Sequence, residues 1–197
     1  MQKSALKLLK SRIRKPVRDF NQNQENDHLI IQLLDSLEAI GKVNIDAQTI
    51  IRIAKRAVTD QRESSLLGMT IFLWIFEGLY VARLNEICLL LIGSGHDLFD
   101  PIKRSFASSM KKIEEVDISS KFKFLEEHGF RMILREKDRN LRNRIAHIDY
   151  NIDESGVLSI RGQNVDVLSR ILELQLLLRD LTNVLVDCFG AEVKRMK

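Results

Sequence analysis

The chain has 197 residues, 45% of them hydrophobic, and a formal net charge of +4. That length suits one domain of ordinary size, or one domain plus an extension, and the apolar content excludes global disorder. The mildly basic balance permits an anionic partner such as nucleic acid but does not demand one.

Only two prolines and nine glycines occur among abundant Leu, Ile, Lys, Arg and Glu, which points to a mostly helical protein. Residues 1–18 hold seven cations and no carboxylate before Asp19. Leu6, Leu9 and Ile13 give them a thin apolar stripe, so a basic amphipathic helix ending near Pro16 is expected. It reads first as a solvated arm and second as an electrostatic contact to RNA or a partner. Asn21 to Asn26 reads as a polar linker, with Asn26 or Asp27 capping the next helix. Leu29, Leu33, Leu37 and Ile40 follow helical spacing up to a stop at Gly41. Asp46 caps a further helix through Val58, so the two form a helical hairpin.

Ser64-Ser65 opens a long apolar helix over roughly 65–92. It is interrupted by Glu77, Arg83, Asn85 and Glu86, which marks it as a buried helix rather than a membrane span. Glu77, set among apolar residues, needs a partner. A structural salt bridge and a carboxylate that orients an arginine are both open. Asp100-Pro101 reads as a helix start running to Met110, and Asp117 caps a short helix ending at His128-Gly129. A helix over 130–148 follows, then extended chain and the turn Asp153 to Gly156. Val157 to Ile160 completes a small β-hairpin. A closing helix spans 165–189, with Gly190 as its stop.

Cys88 and Cys188 lie in apolar surroundings and read as buried free thiols. The histidines at 28, 96, 128 and 147 have no metal-ligand spacing, so neither a metal nor a cofactor is expected. The amino-terminal stretch lacks an apolar core of signal length, and a cytoplasmic location is expected.

Polar groups of catalytic type crowd into Asp138 to Tyr150. At about 100° per residue, Asn143 and His147 share a helix face, while Arg142 lies about 140° from His147 and must reach toward it. Phe130, Leu134, Leu141, Ile145 and Ile148 form a separate core stripe. Arg139, Asn143 and His147 project on roughly the opposite side. His suits proton transfer near neutral pH, Arg can hold a phosphate with two hydrogen bonds, and Asn can orient either.

Arg142-Asn143-Arg144-Ile145-Ala146-His147 resembles the signature of the HEPN family (higher eukaryotes and prokaryotes nucleotide-binding domains). In that signature an Arg, usually followed by Asn or another polar residue, precedes a His with four to six residues between them; here four intervene. The resemblance covers about residues 65–189. Where one subgroup carries Tyr two residues after the His, this chain has Asp149, with Tyr150 one further on. The resemblance implies an all-α, up-and-down bundle of four or five helices at 63–197; the residues before it read as a basic N-terminal helical extension at 1–62. It implies a homodimer with a composite cleft, RNA as substrate, and metal-independent endoribonuclease activity of the kind found in toxin–antitoxin and defence systems, where an antitoxin protein is a further partner. Carried over, Arg142 and His147 match the catalytic pair and Asn143 the polar position after the Arg, with Arg139 and Glu77 in support. Two alternatives stay open: a non-catalytic nucleotide-, RNA- or protein-binding module of the same family, and a helical dimer in which Arg142 and His147 only make salt bridges.

Overall fold

A computed structural model describes residues 1–22, 26–36, 49, 52 and 60–195. The described chain is mostly helical, with two small antiparallel sheets. It divides into two compact units: residues 1–39, 81–134 and 177–197 form one, and residues 40–80 and 135–176 form the other.

In the first unit, helix α1 (Lys3–Gln22) buries Leu9, Ile13, Pro16, Val17 and Phe20. The expectation of a solvated arm is therefore corrected: the apolar stripe is a core face, and the cations occupy the other side. Pro16 sits inside the helix rather than ending it. The Met1 ammonium pairs with Asp180 at 2.6 Å and Lys10 with Asp187 at 2.6 Å, so α1 lies along the last part of the closing helix. Residues 27–36 form helix α2, with Leu29 and Leu33 buried. The expected Gly41 stop and the Asp46-capped helix through Val58 lie outside the described residues. Asn26, one of the two expected caps, stands at the start of α2. It is buried, and its amide nitrogen donates to the carbonyls of Phe20 (3.0 Å) and Gly93 (2.8 Å).

Asp60 opens the long central helix, accepting from the amides of Arg62 (2.6 Å) and Glu63 (3.1 Å), so the start lies a turn before the expected Ser64-Ser65. Three segments run without interruption: α3 (Gln61–Trp74), a π-helical stretch (Ile75–Tyr80) and α4 (Val81–Gly93). The whole is long and apolar enough to cross a membrane by length and composition. Here α4 is a core helix of the first unit, packed by α1, α5 (Met110–Glu115) and α6 (Ile118–Glu127). It buries an Arg83–Glu86 pair at 2.6 Å, and Ser36 adds a hydroxyl to Glu86 at 3.2 Å. Burial raises the Glu86 carboxyl above its ordinary range despite Arg83. Cys88 and Cys188 are free and buried, as expected.

Asp100-Pro101 does not begin a helix. Strands β1 (Leu98–Asp100) and β2 (Ser105–Ala107) form a hairpin, and Asp100 instead accepts from the amides of Ile102 (2.9 Å) and Lys103 (3.2 Å) in its turn. The capping chemistry was legible, but a carboxylate that satisfies two amides serves a turn as well as a helix. Asp117 caps α6 as expected, with Gly129 at φ +81° after its end.

The expected single helix over 130–148 is broken: residues 130–134 belong to the first unit, and the second unit resumes at residue 135. A 3₁₀ turn (Arg131–Ile133) ends at Leu134 in extended conformation, and helix α7 covers only Glu136–Ala146. The Arg135 amide donates to the Tyr80 hydroxyl at 2.9 Å. Leu141 and Ile145 are buried as expected, but Ile148 is 76% exposed and lies beyond the helix. Three strands follow in the order β3 (Asn151–Ile152), β4 (Leu158–Ile160), β5 (Gln163–Asn164), one more than the expected hairpin. Arg161 and Gly162, at φ +51° and +75°, make the tight β4–β5 turn. The Ser65 hydroxyl donates to the Gly156 carbonyl, tying α3 to this sheet. Helix α8 (Val167–Arg195) closes the chain and runs straight through Gly190. A helical glycine costs only about 1 kcal/mol against alanine, too little to end a helix whose preceding turns are packed.

Candidate functional site

Helix α7 carries the motif, and its placement follows from charge. Glu136 and Asp138 occupy its first turn, where the helix dipole favours carboxylates, and Arg144 its last, where a cation is favoured. Asp138 is wholly buried. Arg135 Nε donates to it at 2.6 Å, Arg170 Nε stands 3.9 Å from its other oxygen, and both arginines also reach Glu173. This ring of two cations and two anions pins the first turn of α7 to the start of α8. Burial alone would lower the Arg135 pKa; its hydrogen bonds to Asp138 and Glu173 outweigh that and raise it. The same hydrogen bond holds Glu173 below the ordinary carboxylate range. Burial pushes the Tyr80 phenol far up, so it stays protonated while it accepts from Arg135.

One and a half turns later the motif begins. Arg142 is half-buried, and its Nε donates to Glu77, while its Nη1 donates to Asn143 Oδ1 at 3.0 Å. Glu77 is exposed, not enclosed in apolar surroundings as its neighbours in sequence suggested. The reason is the π-helical stretch that carries it. Widening the turn there re-aims the side chains, and Glu77 leaves the apolar side while Phe76, Leu79 and Tyr80 stay buried. Of the two readings left open for Glu77, the geometry has features of both: a salt bridge, and one made to the motif arginine.

His147 is exposed and ends α7, its amide donating to the Asn143 carbonyl at 3.0 Å. The chain then reverses sharply. The Asp149 amide returns to the Arg144 carbonyl at 2.8 Å and the Ile148 amide to that of Ile145 at 3.1 Å. This six-to-one and five-to-two pair is a Schellman closure. Such a closure needs a left-handed residue, usually glycine; here Ile148 takes it, at φ +56°. An Arg144–Asp149 ion pair straps the turn from outside.

Asn143 and His147 line one hollow of about 330 Å³ together with Asn140, Arg144 and Asp149. Arg142 is not among its walls; it joins the site through Asn143. Arg139 stands apart, paired with Glu136 at 2.7 Å. Asn140 and Asp149 are the site residues that motif reading missed. Asn140 was findable, because positions 140, 143, 144 and 147 repeat at helical spacing on one face. Asp149 was not, since it comes back to the helix only through the left-handed turn. Among the described residues no cluster of His, Cys, Asp and Glu could hold a metal ion. Compared with known protein families, curated proteins and solved structures, the chain matches none.

Proposed function

We propose that this chain is a HEPN-like endoribonuclease that cuts single-stranded RNA at the α7 hollow, without a metal, as a homodimer. The observation that carries the reading is that Asn143 and His147 line one hollow, with Arg142 hydrogen-bonded to Asn143 beside it. The substrate brings its own nucleophile, the ribose 2′-hydroxyl. As the 2′-oxygen bonds to phosphorus and the bond from phosphorus to the 5′-oxygen breaks, one proton must leave the attacking hydroxyl and another must reach the departing oxygen. His147 is exposed and suited to either transfer. One histidine does not do both at once, which is why a second subunit belongs in the proposal. Arg142 would neutralise charge on the phosphorus oxygens, and Asn143 would position the arginine or the phosphate. Products are a 2′,3′-cyclic phosphate and a 5′-hydroxyl. Activity of this type fits a cytoplasmic toxin or defence protein held in check by an antitoxin.

A second reading has its own observation. Arg142 is held by Glu77 and does not line the hollow, which suits a module that binds RNA, a nucleotide or a protein without cutting. The deciding experiment incubates purified protein with mixed single-stranded RNA in EDTA, beside His147→Ala and Arg142→Ala. Cleavage that survives chelation and disappears in both variants supports the nuclease. Equal background in all three sinks it, and RNA binding without cleavage then favours the second reading.

A further inference from the structure

The hollow at His147 is not isolated. Asn140 and Arg144, which line it, also line a second hollow of about 400 Å³. One wall of the second is the outer face of α7, where Lys137, Asn140 and Arg144 follow at three and four residues. The facing wall is β5 with Gln163 and Asn164, and the first turns of α8 complete it. Its volume lies within the range of pockets that bind small ligands.

The chemistry of the walls is selective. Three carboxamides, Asn140, Gln163 and Asn164, border the hollow, and among the described residues their side chains make no hydrogen bond. A carboxamide pairs a donor with an acceptor at fixed spacing, which matches the edge of a nucleobase. Lys137 supplies positive charge on the α7 side, and Arg144 adds a guanidinium that it shares with Asp149. Arg170 and Glu173 are already engaged in the ring around Asp138, so they shape the floor more than they offer free groups. Backbone placement is firm on both walls. Asn140 sits in mid-helix, and the Ser159–Asn164 and Ile160–Gln163 pairings hold the β5 carboxamides in place.

We infer that this second hollow is a base-reading subsite, which seats one nucleotide next to the His147 hollow and selects its base through Asn140, Gln163 and Asn164. Its phosphate lies toward Lys137 and Arg144, the cations of the α7 wall; Arg144, like Asn140, borders both hollows. The inference rests on the proposal that α7 handles nucleic acid, but it does not need cleavage to occur.

The test titrates the full chain with 5′-AMP, 5′-GMP, 5′-CMP and 5′-UMP, each to about 10 mM, and follows side-chain amide resonances by ¹H–¹⁵N NMR. Saturable shifts of the Asn140, Gln163 and Asn164 amide groups are expected, with one base favoured over the weakest by about tenfold or more. The Asn140→Ala and Asn164→Ala substitutions, both at exposed positions, should weaken that nucleotide by about tenfold while leaving the thermal transition in place. No saturable shift with any of the four, or shifts equal for all bases and unchanged in the variants, would overturn the subsite. Cleavage assays on the same preparations keep the two readings apart. Carboxamide-dependent binding without cleavage removes the nuclease and leaves the subsite, whereas cleavage with no base preference does the reverse.

Discussion

Glu77 and Arg142, 65 positions apart, are joined side chain to side chain, and the same guanidinium holds Asn143. The contact depends on the π-helical turn at one end and on mid-helix placement at the other. It makes Glu77 a positioning residue for the motif arginine. An exposed pair of this kind contributes at most about 1 kcal/mol to stability. Replacing Glu77 with Gln should therefore move the thermal midpoint by only a few degrees. Under the proposed nuclease reading, the RNA cleavage rate should fall by about tenfold, the loss of about 1.4 kcal/mol of transition-state positioning. A kcat indistinguishable from wild type would remove Glu77 from the mechanism and leave it a surface salt bridge.

Ile148 stores strain next to His147. A β-branched residue in the left-handed region costs about 1–2 kcal/mol, and here the side chain gains little in return because it is exposed. Ile148→Gly should raise the unfolding free energy by about 1 kcal/mol, after allowance for glycine's greater freedom in the unfolded chain. Urea denaturation measures this directly. A destabilised glycine variant would mean that the isoleucine side chain makes a contact worth more than its strain, as it would if a second subunit covered it.

Asp138 is wholly buried and faces two arginines in the second unit. Removing its carboxylate leaves Arg135 and Arg170 facing a buried site that no longer balances their charge. Asp138→Ala should cost about 3–5 kcal/mol, and Asp138→Asn, which keeps the shape and one acceptor, less. Chemical denaturation of the two variants beside wild type checks both the size and the order. Equal, small losses would show the ring around Asp138 to be dispensable.

His96 and His128 meet edge to face, 4.4 Å between ring centroids. Burial, with the neighbouring His128 and Lys15, holds the His96 pKa below its ordinary value. Because the folded value is the depressed one, the stability it contributes is fully present above the unfolded value of about 6.5 and is lost as pH falls through the folded value. His96 is largely solvent-exposed, so the loss is small, but its titration is directly visible. An NMR titration should place the His96 midpoint below about 6.5, and His128→Ala should raise it. A midpoint at or above the ordinary value, unmoved in the variant, contradicts the arrangement.

What could be read from residues alone was local chemistry. The Asp117 cap, the Asp153–Gly156 turn, the buried cysteines and the shared face of Asn143 and His147 all follow from side chains acting on their own neighbourhood. The failures have a common physical source. Leu134 and Arg135 carry no breaker residue; the helix over 130–148 is interrupted where the Arg135 amide takes the distant Tyr80 hydroxyl as its acceptor. Glu77 was placed among apolar neighbours because a 3.6-residue period was assumed through a stretch that does not obey it. Ile148 was counted in a core stripe because nothing in a β-branched side chain announces a left-handed turn. The acidic first turn of α7, Glu136 and Asp138, was the one overlooked signal for its true start.

Asn26 fastens the ends of α1 and α4 to each other within the first unit. Its amide nitrogen serves two carbonyls, those of Phe20 and Gly93, and Gly93 is itself so close to the Phe20 ring that no side chain fits there. Hydrolysis of that one amide to a carboxylate, a change asparagines undergo without any mutation, would turn two attractions into two repulsions between oxygens in a buried place. The ends of α1 and α4 would lose their common fastening together.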